Sequence, residues 1–134
     1  MKAGLLALLA PVTLFAATLD DIKADQKVGA IDSAEFCFKL GPAIRRPIGK
    51  DETYRAAMLR RAERREGLTG AMQGAINVRE PILGMNLCAV MAAFGRPSRA
   101  NRTTTHRGEH WQLIYERPKR YIYLDNDMVT GWQD

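Results

Sequence analysis

The sequence predicts an α+β domain in which N-terminal helices pack on one face of a C-terminal antiparallel β-meander of three to four strands. Three observations support this class. Helical spacing of apolar residues is confined to the part of the chain before Pro97. Short alternating runs joined by turn residues follow it. The composition, with 46% hydrophobic and 26% charged residues among 134, is that of an ordinary globular protein. Helices first and strands afterwards indicate a single α+β domain.

Residues 1–17, MKAGLLALLAPVTLFAA, have the pattern of a secretory signal peptide: one lysine, an apolar run and small residues before the expected cleavage after Ala17. The apolar run is shorter than the roughly 18 residues of a membrane-spanning helix, and Pro11 interrupts it. An uncleaved signal anchor remains the alternative, because bulky Phe15 stands where a small side chain is usual. No cysteine precedes Cys37. We therefore expect a periplasmic or secreted protein that is not lipidated.

The mature chain divides into two parts on its sequence pattern. Residues 18–31 are polar and weakly patterned, which predicts a flexible N-terminal segment. Residues 32–134 form the single α+β domain. Within that domain we expect a helical part over 32–80, and one further helix followed by the sheet over 82–134.

Local signals place the helices. Asp32 is predicted to cap the first helix, which Gly41–Pro42 should end or kink. Its apolar face is expected to comprise Phe36, Leu40 and Ile44. A second helix is predicted over 52–66, while residues 69–81 fit either a short helix or a loop. Asn86 is the expected N-cap of a third, buried helix.

The second predicted helix carries Arg60, Arg61 and Arg64 among glutamates. A basic helix can indicate a nucleic-acid or membrane surface, whereas interleaved opposite charges are more typical of a solvated face. The chain has a formal net charge of +5. Because an exported protein does not ordinarily meet DNA, we expect no nucleic-acid partner. If these arginines form a binding surface, anionic lipid head groups are the partner that we expect for it.

Strands are predicted over 99–105, 110–115, 121–124 and 128–132. In an alternating strand, side chains on one face pack on the core and those on the other face water. If helices leave one face uncovered, its aromatic side chains would form an interface of the kind that binds proteins. The candidate binding aromatics are Trp111, Tyr115, Tyr121, Tyr123 and Trp132.

The two cysteines, Cys37 and Cys88, are expected to form a disulfide in an oxidising compartment; two buried thiols are the alternative. The competing interpretation is a Cys88 nucleophile with His110 as its base, but a crosslinked cysteine cannot attack a substrate. His106 and His110 lie four residues apart, but the neighbouring glycine and threonines predict a hairpin rather than a metal-binding helix. We expect no catalytic residue, no metal, no cofactor and no small-molecule substrate.

Several short motifs in the second half occur in a family-like order. They resemble the SmpA/OmlA (BamE-like) family, whose pattern is roughly Gly-Met-Ser/Thr, a helix, Gly-x-Pro, a strand, Glu-Gln-Trp-x-Tyr, a tyrosine strand, Asn-Gly and a closing Val-Thr-x-x-Gln. The resemblance covers about residues 82–133. The matching residues are Gly84-Met85-Asn86, Gly95-Arg96-Pro97, Asn101 to Thr105, Glu109 to Tyr115, Tyr121 to Leu124, and Val129 to Gln133.

This resemblance implies a fold related to the repeat of β-lactamase inhibitor proteins and an envelope protein that works by binding. The expected function is a non-enzymatic, exported protein-interaction module of the bacterial cell envelope, similar to outer-membrane assembly accessory proteins. Its partner would be another envelope protein. The alternative is a proteinaceous inhibitor or immunity-type protein that binds and blocks a partner enzyme.

Overall fold

The computed structural model describes residues 18–46, Gly49 and 51–134, so the predicted signal peptide over 1–17 lies outside the described residues. Within this part, helices precede a four-stranded antiparallel sheet, which confirms the α+β class. The helices are α1 (Leu19–Gly29), α2 (Ser33–Arg45), α3 (Glu52–Arg64), α4 (Gly70–Val78) and α5 (Leu87–Phe94). The strands are β1 (Arg99–Thr105), β2 (Gly108–Glu116), β3 (Lys119–Asp125) and β4 (Met128–Gln133).

The prediction of a flexible segment over 18–31 is wrong, because most of it forms α1. The Thr18 hydroxyl accepts a hydrogen bond from the Asp21 backbone N–H, and the Asp21 carboxylate accepts one from the Thr18 N–H, both at 3.1 Å. This capping box satisfies backbone donors that a helix start leaves unpaired. Val28, near the end of α1, is buried in the core. The sequence pattern is weak because α1 buries so few of its own apolar side chains.

Helix α2 begins where expected, since the Asp32 carboxylate accepts a hydrogen bond from the Glu35 backbone N–H at 3.1 Å. It does not end at Gly41–Pro42 but continues to Arg45. Pro42 removes one backbone hydrogen bond from the helix. The last turn is held by tertiary contacts instead, because Ile44 is buried and the Arg45 guanidinium donates to carbonyls of two other helices.

The uncertain segment over 69–81 contains α4, whose N-cap hydroxyl on Thr69 accepts from the Met72 N–H at 3.2 Å. The predicted helix after Asn86 is α5. The Asn86 side chain accepts a hydrogen bond from the Ala89 N–H at 2.8 Å, as expected of an N-cap. The pairing of Cys37 with Cys88 is confirmed: a disulfide with a Cα–Cα distance of 5.1 Å joins α2 to α5. Such a bond is consistent with an oxidising compartment.

The sheet is a meander in the order β1-β2-β3-β4, with every neighbouring pair antiparallel. The helix-facing side contributes the buried residues Leu113, Ile122, Leu124 and Val129 to one core with the helices. The other side, here called the outer face, carries the alternate residues of each strand. Among the described helices, none has both the length and the apolar character to cross a membrane.

Candidate binding surfaces

Arg61 is not part of an exposed basic face, contrary to the prediction, because only 5% of it is accessible. Its Nη1 donates to the carbonyl oxygens of Val28 at 2.7 Å and Ile31 at 2.5 Å. Its Nη2 lies 3.3 Å from the Glu66 carboxylate, and its guanidinium stacks 4.3 Å from the centre of the Phe36 ring. A charged group this buried must be paired to be tolerated. Arg61 is therefore a buried residue whose hydrogen bonds hold α3 against the end of α1.

The other two predicted arginines of α3 also differ from each other. Arg60 forms an ion pair with Asp25 of α1, with Nη2 2.7 Å from the carboxylate oxygen. Arg64 is exposed. The three side chains thus have three separate environments, and the structure does not bring them together as one patch.

The predicted aromatic residues divide between the two faces of the sheet. Trp111 and Tyr115 lie on the helix-facing side and pack against the core. The Tyr115 hydroxyl donates to the Gly95 carbonyl at 2.9 Å, and burial raises the pKa of Tyr115 well above its ordinary value. Trp132 pairs across the sheet with Ile122 and is 37% exposed at the margin of this side. Only Tyr121 and Tyr123 belong to the outer face.

A row of hydrogen bonds crosses the outer face from one edge to the other. Asn101 Nδ2 donates to Gln112 Oε1 at 3.1 Å, and Gln112 Nε2 contacts the Tyr123 hydroxyl at 3.5 Å. That hydroxyl donates to Gln133 Oε1 at 2.9 Å. The row links all four strands, and its four side chains are exposed or half-buried.

A second row lies beside it. His110 Nε2 is 3.0 Å from the Thr105 hydroxyl, and His110 Nδ1 is 2.7 Å from the Asp125 carboxylate. This is the atom order of a nucleophile, a base and an orienting acid. The His110 and Asp125 side chains are 31% and 50% exposed on the open face, whereas such triads work where water is excluded. We therefore interpret these contacts as hydrogen bonds that hold the His110 side chain between Thr105 and Asp125 on the outer face.

A cleft of about 490 Å³ lies on the helix-facing side of the sheet, between α2, the ends of α4 and α5, and the β2–β3 hairpin. We call it the arginine cleft, after the four residues Arg45, Arg79, Arg117 and Arg120 that line it. Its aromatic lining residues are Phe38, Phe94 and Tyr115, and its one acidic lining residue is Glu80. Of these lining residues, only Tyr115 was predicted from the sequence as a binding residue. The four arginines come from separate elements, so no local spacing reveals them.

Two of the cleft arginines are held firmly by the fold. Arg45 Nη1 donates to the carbonyl oxygens of Ile76 and Ala92, at 3.2 and 3.1 Å, near the ends of α4 and α5. Burial lowers the pKa of Arg45 from its usual value. Arg120 lies 3.8 Å from the Glu80 carboxylate, also binds Asp134 and stacks 5.4 Å from the Phe94 ring centre.

Arg79 and Arg117 differ from that pair, since neither forms an ion pair within the described part of the chain. Arg79 follows α4 as its C-cap and has a left-handed backbone with φ of 55°. Arg117 lies in the turn between β2 and β3. Their guanidinium donors are therefore available to an incoming group.

A third cluster is formed by Cys37, Cys88 and Glu66, whose potential ligand atoms lie within 4.8 Å of one another. Thiolate and carboxylate are common metal ligands. Here both sulfurs are committed to the disulfide, so the cluster in this oxidised state offers one carboxylate and no thiolate.

The chain matches no family model, no curated protein and no solved structure.

Proposed function

We propose that this chain is a non-enzymatic, exported protein-interaction module of the bacterial cell envelope, similar to outer-membrane assembly accessory proteins. The observation that carries the proposal is the free edge strand β1 together with the outer face next to it. The motif resemblance to the SmpA/OmlA family supports the same class of role.

Strand β1 is an unusual edge. All seven of its residues are exposed, and within the described part of the chain it pairs only with β2. Its sequence, RANRTTT, ends in three β-branched residues and contains no proline. An unpaired strand of this kind offers a row of backbone donors and acceptors to which a partner strand can add.

The opposite edge of the sheet, strand β4, is partly covered by the chain segment before α5. The Gly84 N–H donates to the Val129 carbonyl of β4 at 2.8 Å, and the Val129 N–H donates to the Met85 carbonyl at 2.8 Å. The pairing of β3 with β4 also shifts register at Tyr123/Leu124. Covered and irregular edges resist strand addition. The contrast between the two edges favours β1 as the edge that accepts a partner.

The outer face adds specificity beside this edge. The hydrogen-bonded row through Gln112 and Tyr123 holds its side chains in place before any partner arrives. Side chains that are already ordered lose less conformational entropy on binding. Tyrosine supplies a large contact area with a polar end, which is typical of interface anchors.

The experiment is a pull-down from envelope extract with two variants of the same strand. Thr103 belongs to the outer face and Thr104 to the helix-facing side, as their pairing with His110 and Glu109 indicates. Thr103→Arg should reduce recovery of the partner at least about tenfold, because a long cation on the face blocks close contact. Thr104→Arg adds the same charge and serves as the matched control.

Recovery of barrel-assembly components would support the assembly role, whereas recovery of a hydrolase or toxin would support the inhibitor alternative. Equal capture by the wild type and Thr103→Arg would contradict the outer face as the binding surface. Export is tested separately by the mass of the periplasmic protein, which should begin at Thr18. That cut leaves the N-cap of α1 in place, since the Thr18 hydroxyl and N–H make the capping-box bonds.

A further inference from the structure

We propose that the arginine cleft is a binding site for a small organic anion, one that carries a carboxylate or phosphate on an aliphatic or aromatic body. The cleft is distinct from the outer face, so this inference is independent of the protein-binding role. Its support comes from the charge balance, the rigidity of the walls and the apolar lining.

The charge balance favours an anion. Of the residues that the structure describes, four arginines and one glutamate line the cleft. Arg79 and Arg117, which have no carboxylate partner in the described chain, approach from α4 and from the β2–β3 turn. A guanidinium presents a planar fork of donors that matches carboxylate and phosphate oxygens. Both residues line the same cleft, and their guanidinium groups are the donors that we assign to the charged end of the ligand.

The ends of helices could oppose an anion at this place, because helix C-termini carry partial negative charge. Arg45 counters that effect by donating to the Ile76 and Ala92 carbonyls near the ends of α4 and α5. Arg120 is held in the wall by Glu80, Asp134 and the Phe94 ring. These groups are already ordered in the free protein, which reduces the entropy cost of binding.

The remaining walls suit an apolar body. Phe38, Met91 and Phe94 line the cleft beside the arginines. A volume near 490 Å³ lies within the roughly 300 to 1,000 Å³ range of small-molecule sites. Acetate or inorganic phosphate would use only the charged part, so an anion with an apolar body should bind more tightly than either.

Glu80 allows the effect of charge in the cleft to be tested by a second substitution. Its carboxylate is 66% exposed and 3.8 Å from Arg120, so it competes with a ligand anion for the same positive field. Glu80→Gln should therefore tighten binding, by about threefold at low salt. Glu63→Gln is the matched control, because Glu63 is exposed on α3 and bonds to Gln73 rather than to an arginine.

The test is calorimetric titration of the full mature protein with hexanoate and with phenyl phosphate. Acetate, inorganic phosphate and neutral hexanamide are the comparison probes. The double variant Arg79→Gln/Arg117→Gln should weaken binding of the organic anions by at least about tenfold, since two charge-assisted contacts are lost. Arg64→Gln/Arg99→Gln removes the same charge from exposed sites elsewhere and should change affinity by less than about twofold.

Preference for hexanoate identifies a carboxylate head group, and preference for phenyl phosphate identifies a phosphate; either supports the proposal. Three results would overturn it: hexanamide binding as tightly as hexanoate, equal losses in the two double variants, or no binding of any organic anion at about 10 mM. Thermal melts of both double variants keep the comparison valid, because neither Arg79 nor Arg117 fastens the fold and their melting temperatures should match the wild type.

Discussion

Gly41 of α2 lies directly against the backbone of α5, so that a Cβ atom on Gly41 would stand 2.0 Å from the Ala92 carbonyl oxygen. The disulfide between Cys37 and Cys88 lies four residues earlier on each helix, which is about one helical turn. The two helices therefore run side by side in the same direction, with a covalent link at one turn and a close backbone contact at the next. Both contacts position the end of α2 and the wall of the arginine cleft.

Gly41→Ala should destabilise the protein by about 2 to 3 kcal/mol, because the new methyl group must push α2 away from α5. Urea unfolding followed by circular dichroism measures this. Gly74→Ala in α4 is the control, since no atom lies within 4 Å of the added Cβ. That change should stabilise the helix by roughly 0.5 to 1 kcal/mol. A Gly41→Ala protein as stable as the wild type would mean that the helices are farther apart than described.

Removing the disulfide by Cys37→Ala/Cys88→Ala should lower the free energy of unfolding by roughly 3 to 4 kcal/mol. The cysteines are 51 residues apart, and opening a loop of that length restores entropy to the unfolded chain. Unfolding midpoints with and without reductant give the measurement for the wild type. Thiol titration of the unreduced, denatured protein should find no free thiol; two free thiols would contradict the pairing.

Arg61→Met should cost about 3 kcal/mol or more, because the Val28 and Ile31 carbonyls and the Glu66 carboxylate lose their buried donor. Arg64→Met, on the same helix but exposed, should cost less than about 0.5 kcal/mol. Amide hydrogen exchange adds a local measurement. Faster exchange confined to α1 in the Arg61 variant is expected, and unchanged protection there would show that α1 is held by other contacts.

Acid should loosen the start of α1. The hydrogen bond from the Thr18 backbone N–H holds the pKa of Asp21 below its ordinary value of 3.8. A carboxyl group whose pKa is lower in the folded state stabilises that state above its unfolded pKa and loses the effect as the pH falls through the folded value. Exchange of the first α1 amides should therefore quicken below about pH 4. Asp21→Asn should remove this pH dependence; a variant that keeps it would indicate another titrating group.

The starts of α2 and α5 and the sheet could be predicted because their causes are local. The caps at Asp32 and Asn86 act within three residues, and all four predicted strand ranges fall within the observed strands. Helix α1 was missed because its stabilising partners lie on α3, more than 25 residues away. The continuation of α2 past Pro42 was missed for the same kind of reason, since Arg45 is fixed by carbonyls of α4 and α5.

The candidate sites differ in the same way. The two-residue period of a strand separates its two faces but does not reveal which face the helices cover. Tyr121 and Tyr123 were therefore predicted together with three aromatic residues that lie on the helix-facing side. Arg61 was assigned to the surface because a helix with many arginines does not reveal which of them points inward. The arginine cleft has no sequence signature, since Arg45, Arg79, Arg117 and Arg120 meet only after four elements have packed. A cleft built from such distant residues is visible only in three dimensions.

The arginine contacts of α1 also set an order of events during synthesis. Arg60, Arg61 and Arg65 bind Asp25, Val28 and Gly29, and these pairs are separated by 35, 33 and 36 residues of chain. A polypeptide emerges N-terminus first. Helix α1 is therefore synthesised before the arginines that bind it. It can pack against α3 only after α3 has also been synthesised.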